Sequence, residues 1–104
     1  KKDMIVSGGF NVFAREVENV IAAHPGVAQV AVIGVPHEKW GEAVTAIVVA
    51  ADGASPDPAE LMAMVRAEKG PVQVPKAVHF VERIPLSAVG KPDKKALKAQ
   101  FAAG

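Results

Sequence analysis

Two long apolar runs, separated only by a short loop, dominate the middle of the chain. Residues 27–35 read Val-Ala-Gln-Val-Ala-Val-Ile-Gly-Val, and residues 43–51 are similarly apolar. Runs of this length, rich in β-branched residues and lacking strict alternation with polar residues, are typical of buried strands. We therefore expect a sheet with helices packed on it.

Three helices are predicted around these strands. The first spans about residues 14–23, where apolar side chains recur at helical spacing. The second begins at Asp57, which can cap it, with Pro58 in the first turn and Glu60 reaching back to the cap. The third covers residues 93–102.

A hairpin and one more strand complete the predicted fold. Residues 4–13 read as a short hairpin or extended loop around the pair Gly8-Gly9, and residues 76–84 alternate as a third longer strand. The order is hairpin, then α-β-β-α-β-α. It predicts an α+β fold with a small N-terminal β-hairpin plus a three-stranded sheet packed with about three helices. A chain of 104 residues is one domain at most.

Composition argues against several classes of protein. A net charge of +1, from 12 basic and 11 acidic residues, argues against a nucleic-acid binder. The absence of cysteine excludes disulfides and thiolate metal sites, and the spacing of the histidines predicts no metal site. No apolar run reaches transmembrane length, and the start Lys1-Lys2-Asp3 does not read as a signal peptide. Because no Met stands at position 1, we expect a fragment of a longer chain. The absence of cysteine fits a reducing compartment, so we expect a cytoplasmic protein.

Gly90-Lys91 is the first candidate for chemistry. It places one cation beside a flexible backbone step, between the third strand and the last helix, where the ammonium can meet a phosphate or carboxylate. The alternative is a solvated lysine in a surface turn. A P-loop is excluded, because Pro85 stands where that motif needs glycine and Pro92 where it needs Ser or Thr.

Two further features have both a structural and a functional interpretation. Gly8-Gly9 is either a tight turn or a place where a ligand lies against bare backbone. Trp40, the one tryptophan of the sequence, either packs on the sheet edge or stacks on a planar ligand.

Five motifs in this order resemble those of acyl-CoA synthetases, the acid–CoA ligases of the adenylate-forming superfamily, in their C-terminal domain. The similarity covers essentially the whole chain. It is carried by residues 1–12, 15–18, 32–42, 75–76 and 85–91.

The resemblance implies a two-step reaction. A carboxylic acid, with fatty or aromatic acids expected, attacks ATP to give an acyl-adenylate, and CoA then displaces AMP. Lys91 matches the family's catalytic lysine, and Lys2 falls at its interdomain hinge. Residues 1–104 would be the mobile C-terminal domain of a longer ligase. The N-terminal domain would hold most of the Mg²⁺ contacts and the acid pocket.

The resemblance also assigns residues to the second step. After the domain rotates, a glycine turn would replace Lys91 at the active site and line the tunnel for the pantetheine arm of CoA, with a tryptophan and a lysine near the CoA nucleotide. These CoA-binding residues are Ser7, Gly8, Gly9, Phe10, Trp40 and Lys76.

The resemblance implies a set of partners: the enzyme's own N-terminal domain, ATP, the acid and CoA. The segment from Pro85 to Lys91 also looks like a sequence that protein acetyltransferases recognise, and acetylation would remove the charge of Lys91.

Two alternative functions remain open. One is an adenylating domain that loads a carrier protein or uses the adenylate otherwise. The other is a small non-catalytic module that binds an anionic partner through its basic last helix.

Overall fold

A computed structural model describes residues 3–102, so Lys2, the predicted hinge, lies outside the described residues. The predicted α+β fold is confirmed. In chain order its elements are β1 Met4–Ser7, β2 Phe10–Phe13, α1 Ala14–Ala22, β3 Val27–His37, β4 Gly41–Ala50, α2 Pro58–Lys69, a short 3-10 helix at Pro71–Gln73, β5 Ala77–Phe80 and α3 Lys94–Ala102.

The strands of this region form one mixed sheet. β3 and β4 are antiparallel partners along nearly their whole length, down to the pair His37 and Gly41. The other edge of β4 is shared, because β5 pairs with it in parallel and β1 meets it where Ser7 lies opposite Gly41. The N-terminal hairpin β1–β2 is therefore continuous with the three longer strands.

β3 and β4 are buried on both faces, as their apolar runs predict. α1 and α2 cover one face, where the core is built from Ile5, Val12, Val17, Ile21, Val32, Val44, Val48, Leu61 and Val65. α3 covers the other face over a smaller core of Ala31, Ile33, Ile47, Ile84 and Leu97. Alternate residues of each strand thus enter different cores, which explains why neither strand alternates with polar residues.

The start of α2 follows a local signal, whereas α1 begins after Phe13 without a side-chain cap. The Asp57 side chain accepts a hydrogen bond from the Ala59 N–H at 2.9 Å, so the predicted cap of α2 is confirmed. The Glu60 carboxylate, however, is paired with His24 Nε2 at 3.0 Å, which ties α2 to the end of α1. None of the helices within residues 3–102 is long and apolar enough to cross a lipid bilayer.

β5 is shorter than the sequence suggests. The Val81 N–H still donates to the Val48 carbonyl at 2.9 Å, but the strand itself ends at Phe80. Ile84 is only 5% exposed and joins the core beneath α3 instead of continuing along the sheet. From Ile84 the chain has left the sheet, and it continues into the segment that carries Lys91.

Candidate functional site

Gly8 and Gly9 form the two-residue turn between β1 and β2. Their φ angles are +60° and +83°, a combination that favours glycine at both positions and suits a tight hairpin. A Cβ built on Gly8 would lie 3.0 Å from Trp40 Cε3, whereas a Cβ on Gly9 would meet nothing within 4 Å. Gly8 is thus constrained by a neighbouring ring as well as by its backbone, and Gly9 by its backbone alone.

Trp40 lies where the glycine turn meets the loop between β3 and β4. Its carbonyl accepts a hydrogen bond from the Gly8 N–H at 2.8 Å. The ammonium groups of Lys76 and Lys39 lie 4.5 and 4.9 Å from the centre of its ring, within the range of cation–π attraction. The structure therefore brings together Gly8, Trp40 and Lys76, three residues that the sequence assigns to CoA.

His37 shapes the loop that presents Trp40. Its Nδ1 accepts from the backbone N–H of Lys39 at 3.0 Å and, more weakly, of Trp40 at 3.4 Å. A nitrogen that accepts carries no proton, so the neutral ring has its hydrogen on Nε2. The sequence carries no signal for this role, because the contact depends on how the loop folds back on the ring.

Ser7 and Phe10 flank the glycine turn and have different surroundings. Ser7 is buried, and its Oγ has no hydrogen-bond partner among the described residues. Phe10, its cross-strand partner, leaves 56% of its surface exposed. The turn therefore offers one enclosed hydroxyl and one exposed aromatic ring beside Trp40.

Gly34 and Glu42 were not singled out from the sequence, yet they attach the hairpin to the sheet. Glu42 Oε1 accepts a hydrogen bond from the Val6 N–H at 3.0 Å. A Cβ on Gly34 would come within 2.7 Å of Glu42 Oε2, so glycine leaves the space that the carboxylate occupies. Both residues lie inside motifs that carry the family resemblance, and that was the only signal for them.

Lys91 is carried by a closed loop. Leu86 and Pro92 form an antiparallel bridge, and the Ser87 N–H donates to the Lys91 carbonyl at 2.7 Å. Gly90, at φ +81°, completes the turn by donating to the Ser87 carbonyl at 2.9 Å. The glycine thus serves a defined turn, and the loop is a fixed part of the domain.

The side chain of Lys91 points away from the cores. It is exposed and makes no hydrogen bond or ion pair with any of residues 3–102. Leu86 and Val89, on the same loop, leave 62% and 79% of their surfaces exposed. The loop therefore presents one cation that is unpaired within the described residues, and two exposed apolar side chains.

The two candidate groups lie at opposite ends of β3. The Lys91 loop shares a groove with Gln29 near the start of this strand, whereas Trp40 lies three residues beyond His37, the last residue of the strand. At about 3.3 Å per residue, this stretch of strand is roughly 25 Å long. The Lys91 loop and the glycine turn therefore lie near opposite ends of β3. Within residues 3–102, no cluster of three His, Cys, Asp or Glu residues is arranged to hold a metal ion.

A fold that carries the Lys91 loop and the Gly8-Gly9 turn at opposite ends of β3 matches a known protein family. The family model described as AMP-binding enzyme C-terminal domain matches residues 16–91, and the chain belongs to this family. The resemblance inferred from the sequence is thereby confirmed.

Individual relatives agree with this assignment. The medium/long-chain-fatty-acid–CoA ligase FadD8 of Mycobacterium tuberculosis is 58% identical over 96% of this chain and 19% of its own length. A feruloyl-CoA synthase of Amycolatopsis is 46% identical over 96% of this chain and 20% of its own. The solved amide bond synthetase McbA of Marinactinospora thermotolerans superposes with a TM-score of 0.92 at 48% identity, over 96% of this chain and 20% of that one. The chain thus spans about a fifth of the length of these relatives.

Proposed function

We propose that this chain is the mobile C-terminal domain of an ATP-dependent carboxylic acid–CoA ligase and that it serves two successive half-reactions. In the first, the acid is joined to AMP with release of pyrophosphate. In the second, the thiol of CoA displaces AMP and a thioester forms. The names of FadD8 and the feruloyl-CoA synthase support acid–CoA ligation, with a fatty or an aromatic acid as the substrate.

Lys91 is the residue proposed to act in the first step. A carboxylate and a triphosphate repel each other, and negative charge builds up on the α-phosphate oxygens as the new bond forms. One ammonium held between the two groups stabilises that charge. The free, exposed side chain of Lys91 and its fixed backbone loop suit a cation that is inserted into a partner domain.

The glycine turn is the part proposed to act in the second step. Gly9 has open space around it, so a pantetheine arm can lie against its backbone. Trp40 and the ammonium of Lys76 form an aromatic and cationic surface beside this turn, which suits the adenine and phosphates of CoA. Ser7 and Phe10 complete the proposed binding residues.

The separation of the two groups along β3 is the observation that carries this proposal. A stretch of β3 roughly 25 Å long separates the two groups, so on one rigid domain they would reach the same reacting atoms only in turn. Rotation about the chain near Lys2 would exchange them, and hinge residues need no chemistry of their own for this.

A second candidate differs only in the acceptor of the acyl group. McbA is named an amide bond synthetase, so a domain of this fold also occurs in an enzyme that forms a bond to nitrogen. A carrier-protein thiol or an amine would leave the role of Lys91 unchanged. It would remove the need for a CoA nucleotide site at Trp40 and Lys76.

The two half-reactions can be tested separately in the full-length ligase that carries this domain. We expect Lys91→Ala to reduce acid-dependent pyrophosphate release by roughly a hundredfold to a thousandfold. Thioester formation from supplied acyl-adenylate should be largely retained. Lys2→Pro should have the opposite effect, since a fixed φ would restrict the hinge. Equal losses in both steps for Lys91→Ala would refute its assignment.

A further inference from the structure

An ion-pair network joins the beginning of the described chain to the helix that follows the Lys91 loop. The ammonium of Lys94, the first residue of α3, contacts Asp3 Oδ2 and lies 2.7 Å from Glu18 Oε2 on α1. One cation therefore holds two carboxylates from parts of the sequence that are far apart.

Glu18 fixes this cation to the centre of the domain. The same Oε2 atom accepts a hydrogen bond from the Val32 N–H of β3 at 2.8 Å. The side chains of Glu18 and Lys94 are only 16% and 23% exposed, so water screens their attraction less than at an open surface. The Glu18–Lys94 pair is thus part of the rigid sheet-and-helix body.

Asp3 is held at two points. Its carbonyl accepts a hydrogen bond from the Ala14 N–H at 3.0 Å, and its carboxylate contacts Lys94. Its side chain is 43% exposed, so this contact lies at the rim of the network. A residue bonded through both main chain and side chain has little freedom to follow a movement of the chain before it.

Lys94 also lies close to the base of the Lys91 loop. The Asp93 N–H donates to the Pro85 carbonyl at 2.8 Å and closes this loop, and Asp93 Oδ1 caps α3 by accepting from the Ala96 N–H at 3.0 Å. Lys94 is the next residue, and Leu97 secures the helix in the core at 1% exposure. The ammonium that holds Asp3 is therefore attached to the element that positions Lys91.

We infer that Lys94 is a positioning residue, which with Asp3 forms an anchor that makes Asp3 the first residue of the rigid domain. The proposed rotation would then occur before Asp3, and the Lys91 loop would move together with Asp3 as one body. This inference rests on the proposed function, because it concerns the delivery of Lys91 to the first half-reaction. Neither Lys94 nor Asp3 is assigned a contact with substrate.

Three substitutions in the full-length ligase test the anchor. Asp3→Asn removes the negative charge from the rim contact and keeps the Glu18–Lys94 pair, so we expect an unchanged unfolding midpoint. Single-turnover pyrophosphate release should fall about tenfold, with KM for ATP unchanged, because imprecise placement slows the chemical step. Lys94→Met should slow pyrophosphate release at least as much. Lys94→Arg should keep most of the wild-type rate of pyrophosphate release. Lys98→Met removes an exposed lysine from the same helix and should behave as wild type.

A second measurement does not depend on activity. Hydrogen exchange of the Ala14 amide should become about tenfold faster in Asp3→Asn, because the carbonyl that accepts its hydrogen loses its second support. The double variant Asp3→Asn/Lys94→Met should be no slower than Lys94→Met alone. Wild-type pyrophosphate release and wild-type Ala14 exchange in Asp3→Asn would overturn the anchor. Retained pyrophosphate release in Lys91→Ala would overturn the proposed function, while Ala14 exchange would still report on the anchor.

Discussion

The ring of Trp40 lies so close to Gly8 that a Cβ on the glycine would come within 3.0 Å of its Cε3 atom. The same two residues share a backbone hydrogen bond of 2.8 Å. The tight hairpin turn and the loop after β3 therefore form one surface. A change in either segment alters the shape of the proposed CoA site.

The two glycines of the turn are predicted to respond differently to alanine. Gly9→Ala should destabilise the protein by about 1–2 kcal/mol, the cost of a left-handed backbone, and slow thioester formation roughly a hundredfold. Gly8→Ala should destabilise it further, since Trp40 must move. Gly53→Ala is a matched control, with φ +75° and open space, and should lose stability without changing either half-reaction. Denaturant unfolding and single-turnover thioester formation measure these effects. Unaltered thioester formation in Gly9→Ala would exclude the turn from the second step.

Acetylation of Lys91 is predicted to switch off the first step. The side chain is exposed on a protruding loop, so a modifying enzyme can reach it. Lys91→Gln mimics the loss of charge and should lower pyrophosphate release by about a hundredfold or more, as should enzymatic acetylation. Lys95→Gln, on an exposed lysine of α3, serves as control. If the acetylated enzyme kept its rate, regulation through this residue would be ruled out.

Lys76 is predicted to contribute to CoA affinity and not to adenylation. Lys76→Met removes the cation nearest to Trp40 and should raise KM for CoA about three- to fivefold, as expected for the loss of one solvent-exposed charge contact. Pyrophosphate release should not change. Lys69→Met, which removes a lysine paired with Glu16 on α1, is the control. An unchanged KM would favour an acceptor other than CoA.

Gly34 and Glu42 are predicted to be energetically coupled. Gly34→Ala should cost about 1–3 kcal/mol in the free energy of unfolding, because the new methyl group overlaps the Glu42 carboxylate. Glu42→Ala should cost about 1 kcal/mol by releasing the Val6 N–H. Together they should cost less than the sum, since the carboxylate is then absent, although Ile5 Cγ2 still lies 3.0 Å from the added carbon. A double-mutant cycle in denaturant measures the coupling, and strict additivity would contradict it.

The elements that could be predicted from the sequence are those with local causes. The long apolar runs of β3 and β4 predict strands that are buried between two cores. Asp57 predicts the start of α2 because its side chain bonds to the first turn of that helix. The roles of Lys91 and the glycine turn come from the family resemblance and stay predictions. The structure adds that Gly8, Trp40 and Lys76 are in fact neighbours.

The features that could not be predicted depend on contacts between distant parts of the chain. Glu60 has the right spacing for a capping box, but His24 offers its carboxylate a competing partner. Asp3, Glu18 and Lys94 carry no local signal for a shared ion pair. The early end of β5 depends on a core position for Ile84 that only the assembled fold provides.

The length of β3 has a consequence for how this domain can vary. Adding one residue within the strand would turn every later side chain from one core into the other, so it should not be tolerated. Adding two would keep the faces but lengthen the strand by about 6.6 Å, which would shift Trp40 away from its place relative to the lysine loop. Insertions should therefore be accepted in the turn between β4 and α2, where Gly53 has open space, and rejected in β3. The length of β3 therefore sets the spacing between the Lys91 loop and the glycine turn, the two groups proposed to act in successive steps.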